Sequence, residues 1–167
     1  QNLEDGLRAL HTRQPIQIHA LPMQSRFKAE DDWTVLAAFQ KRIPEIDMQM
    51  HRPETFQDVA AIIASCDLLI SERLHSIVIA AILGIPCLAL TYDVKVRELV
   101  ASLDIQEHAL EINQPFDPNL LTEYADSLLQ FPEVASRNLI QKATTFRGEM
   151  EEYINMLQHR MDAISCR

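Results

Sequence analysis

Hydrophobic and polar positions change their period several times along the chain, and each change marks an element. Leu3, Leu7 and Leu10 recur at helical spacing and stop before Pro15, which predicts a first helix. Residues 16–20, Ile-Gln-Ile-His-Ala, alternate and predict a strand. A loop follows at that strand's carboxyl end, from Leu21 through Ser25 into the charged residues up to Glu30. Asp31 or Asp32 caps a second helix through Trp33, Leu36, Ala37 and Ile43, which Pro44 ends. Residues 46–50 predict a short strand, and His51-Arg52-Pro53-Glu54 a polar turn. Thr55 with Asp58 three positions on is a variant capping box, opening a helix through Val59, Ile62 and Ile63 toward an apolar strand at 67–70.

Between that strand and the apolar run 77–83 stands one polar stretch, Ser71-Glu72-Arg73-Leu74-His75-Ser76. Gly84-Ile85-Pro86 closes the run, and a second apolar strand follows at 87–90, so the segment reads strand, turn, helix, strand. A helix apolar on all sides is expected to be covered on all sides. Thr91-Tyr92-Asp93-Val94-Lys95-Val96-Arg97 is a further strand-end loop, feeding a helix to Leu103. A weaker strand is expected near 109–112, then a connection marked by Pro115 and Pro118, then a helix over 119–130. Leu139, Ala143, Phe146, Met150, Tyr153, Leu157, Met161 and Ile164 step by three and four and predict one long amphipathic helix. Its apolar face docks on the domain's flank, packs on a partner domain or forms a coiled coil.

Strands alternating with helices of these lengths specify an α/β domain, a Rossmann-like open parallel sheet with helices on both faces. Residues 1–132 form this domain and 133–167 the long last helix. A right-handed crossover needs a strand on each side of its helix, and the first helix has none before it. The chain also begins with Gln1, so an upstream strand and an N-terminal domain are expected.

Composition narrows the function classes. At 167 residues with 47% hydrophobic and 23% charged positions, the chain suits one soluble globular core. A net charge of -9 argues against nucleic acid or an anionic membrane surface as partner of the whole face. Eight acidic residues and no Lys or Arg lie between Glu98 and Ser136, whereas 67–97 holds three charges of each sign, so a positive pocket is possible only locally. Cys66, Cys87 and Cys166 lack metal-ligand spacing and read as buried free thiols of a reducing compartment. No stretch approaches the roughly 20 apolar residues of a membrane span, and no signal peptide is visible.

With only Gly6, Gly84 and Gly148, the chain has neither a dinucleotide loop nor a Walker-type phosphate loop. It also lacks a G-x-S-x-G elbow and an H-E-x-x-H helix. Glu107, His108 and Glu111 read as solvated residues rather than metal ligands.

The chemistry points instead to residues 71–76. At a strand's carboxyl end and a helix's start, free N–H groups and the helix dipole favour an anion, and open parallel sheets bind ligands at that edge. Arg73 and His75 are placed there to hold a small anionic substrate. Each has a structural alternative: His75 as a cap or packed side chain, and Arg73 as a partner of Glu72, Asp67 or Asp93. Lys95 equally suits a solvated helix start, and Tyr92 the core. Asp32, His51 and Arg52 lie in earlier strand-end loops and read as caps or surface residues.

The combination of Ser-Glu-Arg-Leu-His-Ser, a helix of small and branched residues, Gly-Ile-Pro, a strand and Thr-Tyr-Asp-Val-Lys-Val carries a resemblance. With the preceding Ala-Ser-Cys-Asp-Leu-Leu-Ile it covers about forty residues, 62–103. This block resembles the C-terminal, donor-side domain of the polysaccharide pyruvyltransferase family, which includes CsaB-type enzymes of bacterial cell-surface polysaccharides; elsewhere only the element order agrees. The resemblance implies the C-terminal half of a glycosyltransferase-B-like fold. It implies transfer of a pyruvyl group from phosphoenolpyruvate, without a cofactor or metal, to two hydroxyls of a glycan or lipid-linked sugar, giving a pyruvate ketal and phosphate.

In that chemistry Arg73 grips the donor's phosphate or carboxylate, and Lys95 adds a second charge. Ser71, Ser76 and the first helix N–H groups complete the anion site. His75 delivers a proton to the methylene carbon while a hydroxyl attacks the adjacent carbon, so Arg73 and His75 are the expected catalytic pair. Glu72, Tyr92 and Asp93 are expected to orient these groups or the acceptor. The acceptor site is expected upstream, and the setting cytoplasmic, peripheral at the inner face of the membrane. Two alternatives stay open: a nucleotide-sugar glycosyltransferase or epimerase of the same architecture, and a non-catalytic interaction domain using the acidic flank and last helix.

Overall fold

A computed structural model describes residues 2–23 and 32–165. The elements run α1 (Asn2–Arg13), β1 (Gln17–Ala20), α2 (Asp32–Gln40), β2 (Asp47–Met50), α3 (Phe56–Ala64), β3 (Leu69–Ser71) and α4 (Leu74–Leu83). They continue with β4 (Cys87–Thr91), α5 (Val94–Leu103), β5 (Ala109–Glu111), α6 (Pro118–Gln130) and α7 (Pro132–Ser165). This is the expected alternation. The predicted loop at 24–30 and the capping alternative Asp31 lie outside the described residues, as does Cys166.

All five residues of β4 are buried, and their alternation divides the interior in two. Leu88 and Leu90 face Leu7 and Leu10 of α1 and Leu121, Ala125 and Leu128 of α6. Cys87 and Ala89 face Ile77 and Ala80 of α4, Val96 and Val100 of α5, and Leu139 of α7. A parallel strand covered on both faces needs apolar side chains at consecutive positions, and residues 87–90 supply them.

The strands are all parallel but hydrogen-bonded in two pieces, β1–β2 and β3–β4–β5, rather than as the single sheet expected. Strands of three and four residues offer few ladder bonds. The pieces share one core, where Ile18 and Met48 pack with Ile70 and Leu88. The two pieces also differ in character. In β1–β2 the apolar Ile18, Ala20, Met48 and Met50 alternate with Gln17, His19, Asp47 and Gln49, and by the period of two the polar set shares one face.

Local signals explain most boundaries. Thr55 and Asp58 form the full capping box of α3, and the two backbone N–H bonds accepted by Asp58 hold its carboxyl below the usual range. Pro118 opens α6 behind the cap Asp117. Helix α2 ends earlier than its apolar pattern suggested; Ile43 lies beyond it, fully buried in the following turn.

One expectation of burial is corrected. At the end of α4, Ile82 is 62% and Leu83 38% exposed, because the last turn runs past the layer that covers Ile77 and Ala80. The apolar stripe of α7 is covered by this body only at its start. Leu139 is buried against α4 and α5, while Phe146, Met150 and Tyr153 are exposed. At 34 residues this helix is about 51 Å long and outreaches the body it packs on.

Gly84 makes the α4–α7 contact possible. It ends α4 at φ 71°, with its own N–H bonded to the Ala81 carbonyl and that of Ile85 to Ala80. A Cβ there would lie 2.6 Å from Ile140 Cδ1 and Ser136 Oγ, both on α7. Gly84→Ala should therefore cost about 1–3 kcal/mol in urea unfolding. Gly148→Ala, in the middle of α7 with nothing near its added methyl, should instead stabilise by roughly 0.5–1 kcal/mol.

Candidate functional site

The turn from β3 into α4 is braced by two serines. Ser71, the last strand residue, accepts the Arg73 N–H at 3.0 Å and lies 2.6 Å from the Ser76 hydroxyl. Ser76, 2% exposed, donates to the Arg73 carbonyl at 2.7 Å. The serine side chains thus close a ring of bonds within the turn and hold Arg73 in extended backbone at the head of α4, with φ −86° and ψ 117°. The Arg73 side chain, a donor without an acceptor, makes no cap to its own helix.

Arg73 meets acidic partners from two directions. Its guanidinium pairs with Asp32 at the start of α2, and Glu72 lies 3.6 Å from Nε. Asp32 is the more buried partner, its side chain 15% exposed against 32% for Arg73, and its second oxygen accepts the Met23 N–H at 3.0 Å. Asp32 reads from sequence as a cap or surface residue. The fold instead carries it across 41 positions to Arg73. The pattern alone offered only a weak signal for this, an acidic pair behind a strand-end loop.

The other predicted residues are placed differently. His75, the second residue of α4, and Lys95, the second residue of α5, are exposed, and neither makes a hydrogen bond or ion pair among the described residues. Asp93 is the cap of α5, its side chain accepting the Val96 N–H at 2.9 Å, and makes no ion pair with Arg73 or Lys95. Tyr92 is 39% exposed, so it belongs to the surface at this edge rather than to the core, and its carbonyl accepts from the Asn113 side chain. Ser71, Glu72, Arg73 and Ser76 therefore come together, with Asp32 as the residue sequence reasoning missed. His75 and Lys95 stand at helix starts along the same edge.

Two further contacts occupy the ends of β1 and β2. The Arg52 guanidinium lies over the Trp33 ring at 4.1 Å, next in sequence to Asp32. Nδ1 of His19 and Nε2 of His51 are 2.8 Å apart. At the opposite ends of the strands, a cleft of about 490 Å³ is lined by Cys66, Asp67, Gly84, Pro86 and Ser136 among others. Its walls carry no arginine, lysine or histidine, so an anion finds no counter-charge there. Among the described residues no three His, Cys, Asp or Glu gather as metal ligands; Glu111 pairs with Arg97 instead, which holds its carboxyl below the usual range.

The family model of polysaccharide pyruvyl transferase matches residues 5–94, more than half of the chain. The chain belongs to the polysaccharide pyruvyl transferase family. It is thus an enzyme, a transferase of that kind. No solved structure matches the chain. The family match begins well upstream of the block 62–103 that carried the resemblance, so it takes in Asp32, His19, His51 and Arg52 as well as Arg73 and His75; Lys95 lies one residue beyond it. Of the cysteines, Cys87 is buried and its thiol is pushed up to about 12 by desolvation. Cys66 is only partly covered, donating to the Ile62 carbonyl, which amends the reading of it as buried.

Ser76→Ala removes a buried hydroxyl with two partners and should cost about 1–2 kcal/mol in urea unfolding. Ser71→Ala should behave similarly, and the double variant should cost measurably less than the two single losses added together, since both act in one ring of bonds.

Proposed function

We propose that the carboxyl edge of the sheet binds phosphoenolpyruvate and that the enzyme transfers its pyruvyl group to two hydroxyls of a glycan or lipid-linked sugar, releasing phosphate and leaving a pyruvate ketal. The observation that carries this reading is Arg73, a partly exposed guanidinium fixed at the strand end by Asp32 within the family match. Its planar fork suits a carboxylate or phosphate held in bidentate fashion. Asp32 and Glu72 together outweigh the charge of Arg73, so a polyanionic donor needs further cations. Lys95 supplies one in this reading, and the N–H groups at the head of α4 add hydrogen-bond donors and the positive end of the helix dipole. Ser71 and Ser76 serve the anion site by fixing the turn that presents those groups.

The reaction moves two protons. One hydroxyl oxygen adds to the carbon bearing the phosphate ester as its O–H bond breaks, while the methylene carbon takes a proton and becomes methyl, the hydroxyl's proton replacing the one given to that carbon. The second hydroxyl oxygen then forms its bond to the same carbon as the bond to phosphate breaks, the electron pair leaving with the phosphate. His75 is assigned the proton donated to the methylene carbon, its exposure leaving the ring open to a substrate. The donor is a metabolite of the cytoplasm, which supports a cytoplasmic reaction at the inner face of the membrane. No helix among the described residues is long and apolar enough to cross a membrane.

Calorimetric titration should show saturable binding of phosphoenolpyruvate, weakened at least about tenfold, roughly 1.4 kcal/mol, in Arg73→Ala. Affinity unchanged by that substitution, or a preference for a uridine diphosphate sugar, would overturn the assignment.

A further inference from the structure

His19 and His51 form a second titratable cluster at the carboxyl edge. The ladder continues one bond past β2, from the His51 N–H to the Ala20 carbonyl at 2.9 Å, so His51 falls on the polar face of β1–β2 together with His19. Their ring planes are 20° apart and their centroids 5.1 Å apart. That separation is the 2.8 Å nitrogen–nitrogen distance plus one ring radius on either side, the geometry of an in-plane N–H···N bond rather than of face-to-face stacking. One nitrogen must donate and the other accept, so the pair holds a shared proton, and the two outer nitrogens are left to meet a ligand.

Among the described residues neither ring makes a further side-chain hydrogen bond or ion pair. Both rings are half-buried on the face turned away from the core formed by Ile18, Ala20, Met48 and Met50. The charged groups nearby in the fold are already engaged: Asp47 accepts from Gln17, Arg52 covers Trp33, Asp58 caps α3, and Asp32 holds Arg73. Burial, and after it the neighbouring His19, push the His51 imidazole below its ordinary value. The β1 loop that starts beside His19 is also bonded, through the Met23 N–H, to the same carboxylate that holds Arg73. The pair and Arg73 thus belong to one braced edge.

We propose that His19 and His51 act as a single acid–base unit on the acceptor side of this reaction. The unit takes the proton of the sugar hydroxyl that displaces phosphate and passes it to the departing phosphate, so the hydroxyl O–H bond and the carbon–oxygen bond to phosphate break as the new carbon–oxygen bond forms, with no net proton consumed. This rests on the donor reading above, and it gives the second proton transfer a residue that His75 alone does not provide.

The test uses the chain labelled with ¹⁵N-histidine, titrated with phosphoenolpyruvate and with inorganic phosphate. The ring nitrogens of His19 and His51 should shift saturably with the same midpoint as the calorimetric isotherm, and the shifts should vanish in Arg73→Ala. Donor binding that depends on Arg73 but leaves both imidazoles unmoved would overturn the proposal while sparing the donor reading. Absence of Arg73-dependent binding would overturn both. In His19→Gln and His51→Gln, donor affinity should change by less than about threefold. The protons exchanged with buffer on binding, read from heats in two buffers of different ionisation enthalpy, should fall by about half or more. Proton exchange equal to that of the unsubstituted chain would count against the pair.

Discussion

Strand β4 is the constraint on which the rest of the structure depends. It is covered on both faces, so its two sets of side chains must each find a helical layer, and the positions of α1 and α6 on one side and α4, α5 and α7 on the other follow from that requirement. Burying each of its two leucines contributes about 1.5–3 kcal/mol, more than a surface ion pair at the edge supplies. The carboxyl edge can therefore carry charged and polar residues because the layers beneath it are already held.

At that edge the chain spends acidic residues on holding a base in place. Asp32 and Glu72 approach Arg73 from separate elements, and the serine ring fixes the backbone from which Arg73 projects. An arginine so held has few orientations to lose when an anion arrives, which lowers the ordering cost of binding. The same partners reduce its net attraction for anions. An anion carrying several negative charges would need further positive groups beside Arg73.

The two sheet pieces divide the work. β3–β4–β5 supplies the buried frame and the arginine turn, whereas β1–β2 keeps one polar face and brings two imidazoles within bonding distance. Helix α2 joins them through neighbouring residues, Asp32 to Arg73 and Trp33 to Arg52. Beyond the body, α7 carries Phe146, Met150 and Tyr153 into solvent.

Much of this was legible in the residues. The apolar run of β4, the capping box of Thr55 and Asp58, the Gly84 stop and the three-and-four stepping of α7 are local signals, each decided by backbone conformation or by period within a few positions. They determined the order of elements and put Arg73 and His75 at a strand end. Pairings between distant positions were not legible. That Asp32 reaches Arg73, that His19 meets His51, that Ile82 and Leu83 stay uncovered and that the sheet is bonded in two pieces depend on which elements pack side by side. Those contacts join residues with no common period or cap, and only the packing of one layer against another brings them within reach.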